Sequence, residues 1–308
     1  VEGAVLFTVP KKSDIDRCAC KEPDVNMYLQ KGVGAHIRRR LLRFGINLND
    51  QSINRRLARK GSIDGTLATL DLSSASDSIT IKCVQSLLPT DWFEYLNYIR
   101  SPIVLVDGYA HRTEMFSSMG NGFTFELESL LFYVLMRTVS YFEGVSGVIS
   151  VYGDDIIIPT VLFGPAEWVL REFGFSLNPD KSFHEGPFRE SCGGHYHCGE
   201  DVTPFYLKQD ATHITDVIRV ANQLRRWTCA DPARKYMLPT TYDVWSKLAA
   251  LVPEDLWGGY DCEVDTQLAS PHAPKNKLVR LTREKRIPPG GDYVNWHNSN
   301  WKRTAGPD

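Results

Sequence analysis

The sequence lacks the features that would direct a chain into a membrane or out of a cell. No apolar run approaches the roughly 20 residues that a bilayer-spanning helix requires, and no secretory leader is visible. Cysteine is scarce. Seven in 308 residues (Cys18, Cys20, Cys83, Cys192, Cys198, Cys229 and Cys262) is a low and odd number, which argues against a disulfide framework and for reduced thiols in a cytoplasmic setting. There is no internal repeat and no low-complexity tract, so repeat architectures are set aside. Nor is there an overall excess of one charge, the formal net being −2. The chain begins at Val1, already in strand-like text, and is expected to be a processed or truncated product.

What is present is an ordinary globular composition, 43% hydrophobic and 23% charged, with length enough for a sizeable core and two or three subdomains. The charge is segregated. Residues 11–60 hold 13 Lys/Arg against 5 Asp/Glu, and residues 61–160 hold 4 against 12. Single charges usually mark solvated surface, but a division this sharp suggests a polyanion held by one part and cation-binding carboxylates in the other.

Along the chain, AVLFTVP (4–10) reads as a strand and KKSDIDR (11–17) as a polar loop. A helix is expected around 26–42. TLATLDL (66–72) reads as a strand, followed by the cap-rich turn SSASDS, a helix from about Ile79 and another from Thr90 that stops before Pro102. SSMGNG (117–122) is a Gly-rich loop leading into a helix with Phe123, Leu127, Leu130, Leu131, Val134 and Leu135 on one face. VISVYGDDIIIP (148–159) has the pattern of two strands around a tight Gly-Asp turn. A helix is expected over 165–173 with Gly174 as its C-cap, a second hairpin over 189–208, and helices near 213–228 and 240–251. The Pro-, Gly- and Asn-rich tail from Ile287 reads as loop. The alternation, with a hairpin in its middle, predicts an α+β fold with an antiparallel sheet packed by helices on one face.

The hairpin raises a chemical question, because Asp154 and Asp155 are like charges inside the most strand-like stretch of the chain. Adjacent carboxylates resist ionising together unless a cation sits between them. Alone, Gly153-Asp154 could simply turn the chain with Asp155 solvated. The apolar runs on both sides disfavour that, since a buried hairpin rarely places two unpaired charges at its tip. Asp71, at the end of an earlier strand, supplies a third carboxylate if the strands are neighbours. Hard oxygen ligands of this kind suit Mg²⁺ or Mn²⁺, and two such ions about 4 Å apart serve in-line phosphoryl transfer.

These stretches resemble a known family. YGDD (152–155) between apolar strands resembles motif C of RNA-dependent RNA polymerases, DLSSASD (71–77) motif A, and SSMGNG followed by a helix motif B, in the family's order. SSMGNGFTFELESLLF, VYGDDIIIP, EGPFRESCGGHY and DVTPFY resemble, more closely still, the replicase catalytic (beta) subunits of positive-strand RNA bacteriophages, the Qβ-like leviviruses. The resemblance covers at least residues 5–230 and thins thereafter; beside those subunits the chain is expected to lack an N-terminal portion.

The resemblance implies a right-hand polymerase palm with parts of fingers and thumb: a fingers segment over 1–65, the palm over 66–188 with an insertion near 90–116, a motif E-like hairpin over 189–210, and a partial thumb and tail over 211–308. It implies Asp71 and Asp154 as principal metal ligands, Asp155 as a weaker or outer one, and the Leu72 carbonyl as a further ligand of two Mg²⁺ ions, replaceable by Mn²⁺. Asp77 and Asn121 would check the ribose 2′-hydroxyl; alone, Asp77 reads as a helix N-cap and Asn121 as a turn residue. Ser118 and Gly120 would let the backbone approach the templating pair. Lys11 and Arg17 would lie over the incoming triphosphate, although Asp14 departs from the family's basic pattern there. Lys181 would protonate the leaving pyrophosphate, or else be a solvated lysine. Arg38, Arg39, Arg40, Arg43, Arg55, Arg56, Arg59 and Lys60 would line the RNA backbone, or an exposed helix face. Cys192, His195, His197 and Cys198 could alternatively supply zinc ligands.

The implied function is template-directed RNA synthesis, replicating a viral genome in the cytoplasm of an infected bacterium. The partners are RNA template and product, ribonucleoside triphosphates, host translation elongation factors Tu and Ts and a host ribosomal protein, and no membrane. A reverse transcriptase shares the palm, but usually carries a bulky aromatic near motif A, where this chain has the small, polar SSASD. A catalytically inactive RNA-binding relative is a third reading, disfavoured because all three aspartates are present.

Overall fold

A computed structural model describes residues 3–12, 15–207, 210–229, 237–258, 262, 266–270, 276–280 and 301–305. The chain divides into two compact units, 1–204 and 205–308. Among the described residues no helix is long and apolar enough to cross a membrane. All seven cysteines are free thiols.

The centre of the first unit is a three-stranded antiparallel sheet of β3 (Leu67–Leu70), β8 (Asp155–Pro159) and β7 (Ser150–Tyr152), with β8 in the middle. Leu70 pairs with Ile156, and Tyr152 with Asp155 across the turn. Alternation along β8 sorts the side chains. Ile156 and Ile158 join the main core with Leu127, Leu131 and Phe132 of α6 (Thr124–Phe142) and Ala166 and Leu170 of α7 (Phe163–Glu172). Ile157 packs the other way, with Leu67 and with Ala58 of α2 (Ser52–Asp64). Both faces are covered, which is why Ile156, Ile157 and Ile158 are each 0% exposed and the strand reads as a continuous apolar run.

Asp71 interrupts the strand expected over 66–72. The chain resumes as β4 (Leu72–Ser73), paired with β9 (Ser176–Leu177), Leu72 opposite Leu177. Then come α3 (Ala75–Ser78), α4 (Ile81–Leu87) and α5 (Thr90–Ile99). Asp77 is not a helix N-cap: it lies within α3, whose N-cap position is Ser74, and Thr80 caps α4 by accepting from the Cys83 N–H.

The N-terminal residues build a second sheet. β1 (Ala4–Lys12) and β2 (Ile15–Lys21) form an antiparallel ribbon, extended by β5 (Ile103–Val106) and β6 (Tyr109–Arg112). The stretch 11–17, expected to be loop, is therefore largely strand, with Val9 opposite Arg17 and Pro10 opposite Asp16. Its side chains are mostly exposed, so it carries no apolar alternation to announce it. Asp14 lies outside the described residues. α1 (Asp24–Arg43) follows and packs on α6 through Val33, Ile37 and Leu41.

The expected second hairpin is a three-stranded antiparallel meander, β10 (Phe188–Ser191), β11 (Gly194–His197) and β12 (Glu200–Asp201). The second unit has its own core, Ile218, Ala221 and Leu224 of α8 (Ile214–Thr228) against Trp245 and Ala249 of α9 (Pro239–Ala249). It also holds β13 (Asn276–Arg280) paired with β14 (Trp301–Ala305). Part of the tail expected to be loop is thus a strand, through a pairing that local composition does not reveal; the rest of that tail lies outside the described residues.

Candidate active site

Asp71 sits where β3 gives way to β4, and the loop after β9 grips it. The Asn178 N–H donates to its carbonyl at 2.9 Å and the Asn178 side-chain amide to its Oδ2 at 3.0 Å. The Ser182 hydroxyl accepts from the Asp71 N–H at 3.1 Å and donates to its carbonyl at 3.2 Å. These contacts span 107 and 111 residues of chain, beyond what local pattern can reveal.

Asp154 occupies the β7–β8 turn beside Gly153, whose φ of +63° and position against the Phe125 ring admit no side chain: a Cβ would lie 2.7 Å from Phe125 Cε2. The Gly153 N–H donates to Ser129 Oγ of α6 at 2.9 Å, and Tyr152 meets Phe125 edge-on with centroids 5.0 Å apart. The turn is thus fastened to α6. Burial, and then the charge of Asp71, push the Asp154 carboxyl up, while Lys181 and Arg17 oppose that rise. Asp71, Asp154, Lys181 and Arg17 therefore share one electrostatic neighbourhood.

Asp155 points elsewhere. Its Oδ1 accepts from the Cys192 N–H at 2.9 Å and from Ser191 Oγ at 3.1 Å, both in the meander. Burial, more than any other cause, pushes this carboxyl up to about 6. A further acid enters from α6: Glu128 is buried, and burial followed by the charges of Asp154 and Asp77 pushes it up to about 8. Sequence reasoning missed Glu128, Ser129, Asn178 and Ser182, because no spacing rule singles them out.

Lys181 lies 3.6 Å from Glu190 Oε1. Burial alone would lower its pKa, but Asp71, Glu190 and Asp155 together outweigh it and hold the ammonium protonated. Asn121 donates to Glu22 Oε1 at 3.1 Å and accepts from the Phe123 N–H at 3.0 Å, which fixes the orientation of its amide, while burial pushes the Asp77 carboxyl up. Ser118 offers its carbonyl to Thr124 Oγ1 at 2.8 Å. Gly120, at φ +101°, fits only without a side chain, since a Cβ would lie 2.5 Å from the Cys20 carbonyl oxygen. Lys11 and Arg17 are exposed on the β1–β2 ribbon.

The basic cluster divides. Arg38 pairs with Glu126. Arg55 and Arg59 donate to the carbonyls of Cys192 and Gly199 at 3.0 and 2.6 Å, so they brace the meander, Arg55 half-buried and Arg59 exposed. Arg39, Arg40 and Arg43 are exposed on α1. Cys192 and Cys198 lie beyond opposite ends of β11, a four-residue strand that rises about 13 Å. The His195 ring faces Glu190, Nε2 to Oε1 3.3 Å. Among the described residues no three His, Cys, Asp or Glu side chains are grouped to hold a metal, and these four do not converge.

A family model described as RNA replicase, beta-chain, matches residues 1–288. The chain is 51% identical over 271 residues to the RNA-directed RNA polymerase beta chain of Enterobacteria phage fr, covering 88% of this chain and 49% of that protein. It is 50% identical over 322 residues to the beta chain of Escherichia phage MS2 (97% and 58%), and 47% identical over 251 residues to the subunit beta of Escherichia virus Qbeta (81% and 42%). The chain spans about half the length of the curated relatives it matches. Among solved structures it is similar to the RNA-dependent RNA polymerase of a human picorbirnavirus, with a TM-score of 0.53 at 14% identity, covering 82% of this chain and 58% of that one. That likeness establishes the fold, a polymerase palm of antiparallel sheet and helices.

Proposed function

The chain belongs to the RNA replicase beta-chain family, and from that premise we propose that it carries the catalytic palm of an RNA-directed RNA polymerase. Its reaction would join a ribonucleotide to RNA: the 3′-hydroxyl of the growing strand attacks the α-phosphate of a ribonucleoside triphosphate, and pyrophosphate leaves. The observation that carries this reading is the meeting of Asp71, at the end of β3, with Asp154, in the β7–β8 turn, where burial and then the charge of Asp71 push the Asp154 carboxyl up.

Such a pair fits a divalent cation, whose charge would relieve the repulsion that now pushes Asp154 up. Asp71 and Asp154 would hold it, with the adjoining Leu72 carbonyl available and Asp155 as an outer group. Mg²⁺ or Mn²⁺, when bound, supplies the charge neutralisation that phosphoryl transfer requires. The chain's own residues supply the rest. Lys181 stays protonated beside Asp71 and can give its proton to the departing pyrophosphate. Lys11 and Arg17 offer positive charge to the triphosphate. Asp77 and Asn121 read the ribose, Ser118 and Gly120 border the templating pair, and the 188–201 meander holds the 3′ end. The small SSASD stretch favours ribonucleotides over deoxyribonucleotides. Replication of a viral RNA in the bacterial cytoplasm, with elongation factors Tu and Ts and a ribosomal protein as partners, belongs to the same reading.

RNA-templated incorporation of labelled nucleotide in Mg²⁺, by this chain and by Asp154→Asn, tests it. Loss of incorporation with RNA binding retained is expected. Equal incorporation by both proteins would remove Asp154 from the chemistry.

A further inference from the structure

Asn54 belongs to none of the polymerase motifs. It lies on α2, in the basic stretch, yet it is only 2% exposed and its amide sits at the junction of three strands. Ser150 Oγ of β7 donates to its Oδ1 at 2.6 Å. Its Nδ2 donates to the Asp155 carbonyl of β8 at 3.0 Å and reaches Ser191 Oγ of β10 at 3.4 Å. Ser191 Oγ in turn donates to Asp155 Oδ1 at 3.1 Å, the oxygen that also accepts from the Cys192 N–H. One side chain therefore joins both strands of the hairpin that carries Asp154 to the first strand of the meander.

The rest of α2 reinforces the junction. Arg55 holds the carbonyl of the first meander turn and Arg59 that of the second. Buried polar networks of this kind, with each member satisfied, rigidify the geometry around them. The reading above needs such rigidity. It assigns the 3′ end of the growing strand to the meander and the phosphoryl transfer to Asp154, and a misplacement of about 1 Å between reacting groups can cost about 100-fold in rate.

We propose that Asn54 is a positioning residue that locks the meander to the Asp154 turn through Ser191 and Asp155, so that the primer end and the metal-binding aspartate are set by one frame. In this arrangement the Asp155 carboxylate is a latch between the two hairpins. The functional consequence rests on the polymerase reading; the contacts do not.

Asn54→Leu keeps the γ-branched shape, with somewhat more bulk, and removes all three hydrogen bonds. The expected result is a maximal incorporation rate lowered about 10- to 100-fold, the range found when groups supporting a metal ligand are removed, with the nucleotide KM changed less than about threefold. Ser191→Ala should show the same split. Combining the two should cost little more than either alone, because both break one path, whereas Asn54→Leu with Lys11→Ala should multiply. A rate per folded molecule equal to the parent's would overturn the inference, as would multiplicative behaviour of Asn54→Leu with Ser191→Ala. If Asn54→Leu does not fold, Ser191→Ala alone decides: an unaltered rate overturns it. Asp154→Asn runs beside them. If that variant is inactive while Asn54→Leu and Ser191→Ala are fully active, the polymerase reading stands and this inference falls. If Asp154→Asn is as active as the parent, both fall.

Discussion

Replacing Glu128 with glutamine should stabilise the protein at alkaline pH and leave it nearly unchanged in acid. Glu128 is 7% exposed on α6. Burial, then Asp154 and Asp77, raise its carboxyl from 4.5 in the unfolded chain to about 8. Between those two values folding takes up a proton at this site. The native state is therefore favoured by Glu128 fully below pH 4.5, and loses that contribution as pH rises through 8. At about 1.36 kcal/mol per pH unit across the window, the ceiling on the loss is about 5 kcal/mol. Glutamine has the same shape and no charge to bury, so Glu128→Gln should lack this dependence. The assay is urea unfolding of both proteins at pH 4.5, 6, 7 and 8.5 in a chelator, because a cation at Asp71 and Asp154 would alter the field at Glu128. Asp155, raised to about 6, loses stability with the same sign, but it is present in both proteins and cancels in the difference. The variant should exceed the parent by at least about 2 kcal/mol at pH 8.5, well within that ceiling. Equal stability there, or a less stable variant, would refute the account of Glu128 as a carboxylic acid kept neutral by its surroundings.

Two further substitutions probe the frame around the site. Gly153→Ala must place a Cβ 2.7 Å from the Phe125 ring at φ +63°; left-handed strain and overpacking together should cost about 2–4 kcal/mol, and an unmoved urea midpoint would count against the close packing of that turn. Arg189 is 0% exposed and donates to the carbonyls of Leu67 at 2.7 Å and Gly186 at 2.8 Å, so Arg189→Met leaves buried acceptors unmet and should cost about 2–4 kcal/mol; a thermal midpoint unchanged from the parent would show that water replaces the guanidinium without loss.

The parts of the fold that were legible in the sequence are those whose burial is apolar. β3, β8 and α6 each present an unbroken or helically spaced set of aliphatic side chains, and Gly153 marks the turn between two such runs. α2 was not legible as an element, and its buried face explains why. That face consists of Asn54, Ala58, Gly61 and Ser62, small or polar residues held by hydrogen bonds to the meander instead of by an apolar stripe. The far end of the β1–β2 ribbon, 11–17, escaped detection for a related reason: an exposed stretch with polar residues on both faces carries no period-two signal. At the site, the carboxylates could be picked out because their residue type is unusual in a strand. Their supports, Asn178, Ser182, Ser129 and Asn54, could not, because an Asn or Ser that holds a distant backbone is indistinguishable in sequence from one that makes a turn. The bracing role of Arg55 and Arg59 was hidden for the same reason, since the carbonyls they satisfy lie 137 and 140 residues away.

The two adjacent aspartates are tolerated because the backbone sends them to different places. Along β8, Ile156 and Ile158 face α6 and α7, and Ile157 faces α2. Asp155 shares the parity of Ile157, so its carboxylate emerges toward α2 and the meander, where two donors meet it. Asp154 precedes the strand, in the turn, and is free of that alternation; it faces Asp71. One carboxylate is thus held by N–H and O–H donors of the meander, and the other, buried beside the like charge of Asp71, is offset by a backbone hydrogen bond at its own residue and by the charges of Lys181 and Arg17. A register slip of one residue would turn Asp155 into the aliphatic layer of Leu127 and Leu131 and move Ile156 to the meander. The apolar residues on either side of the pair therefore specify the register, and the register makes one aspartate a structural latch and leaves the other available to a cation.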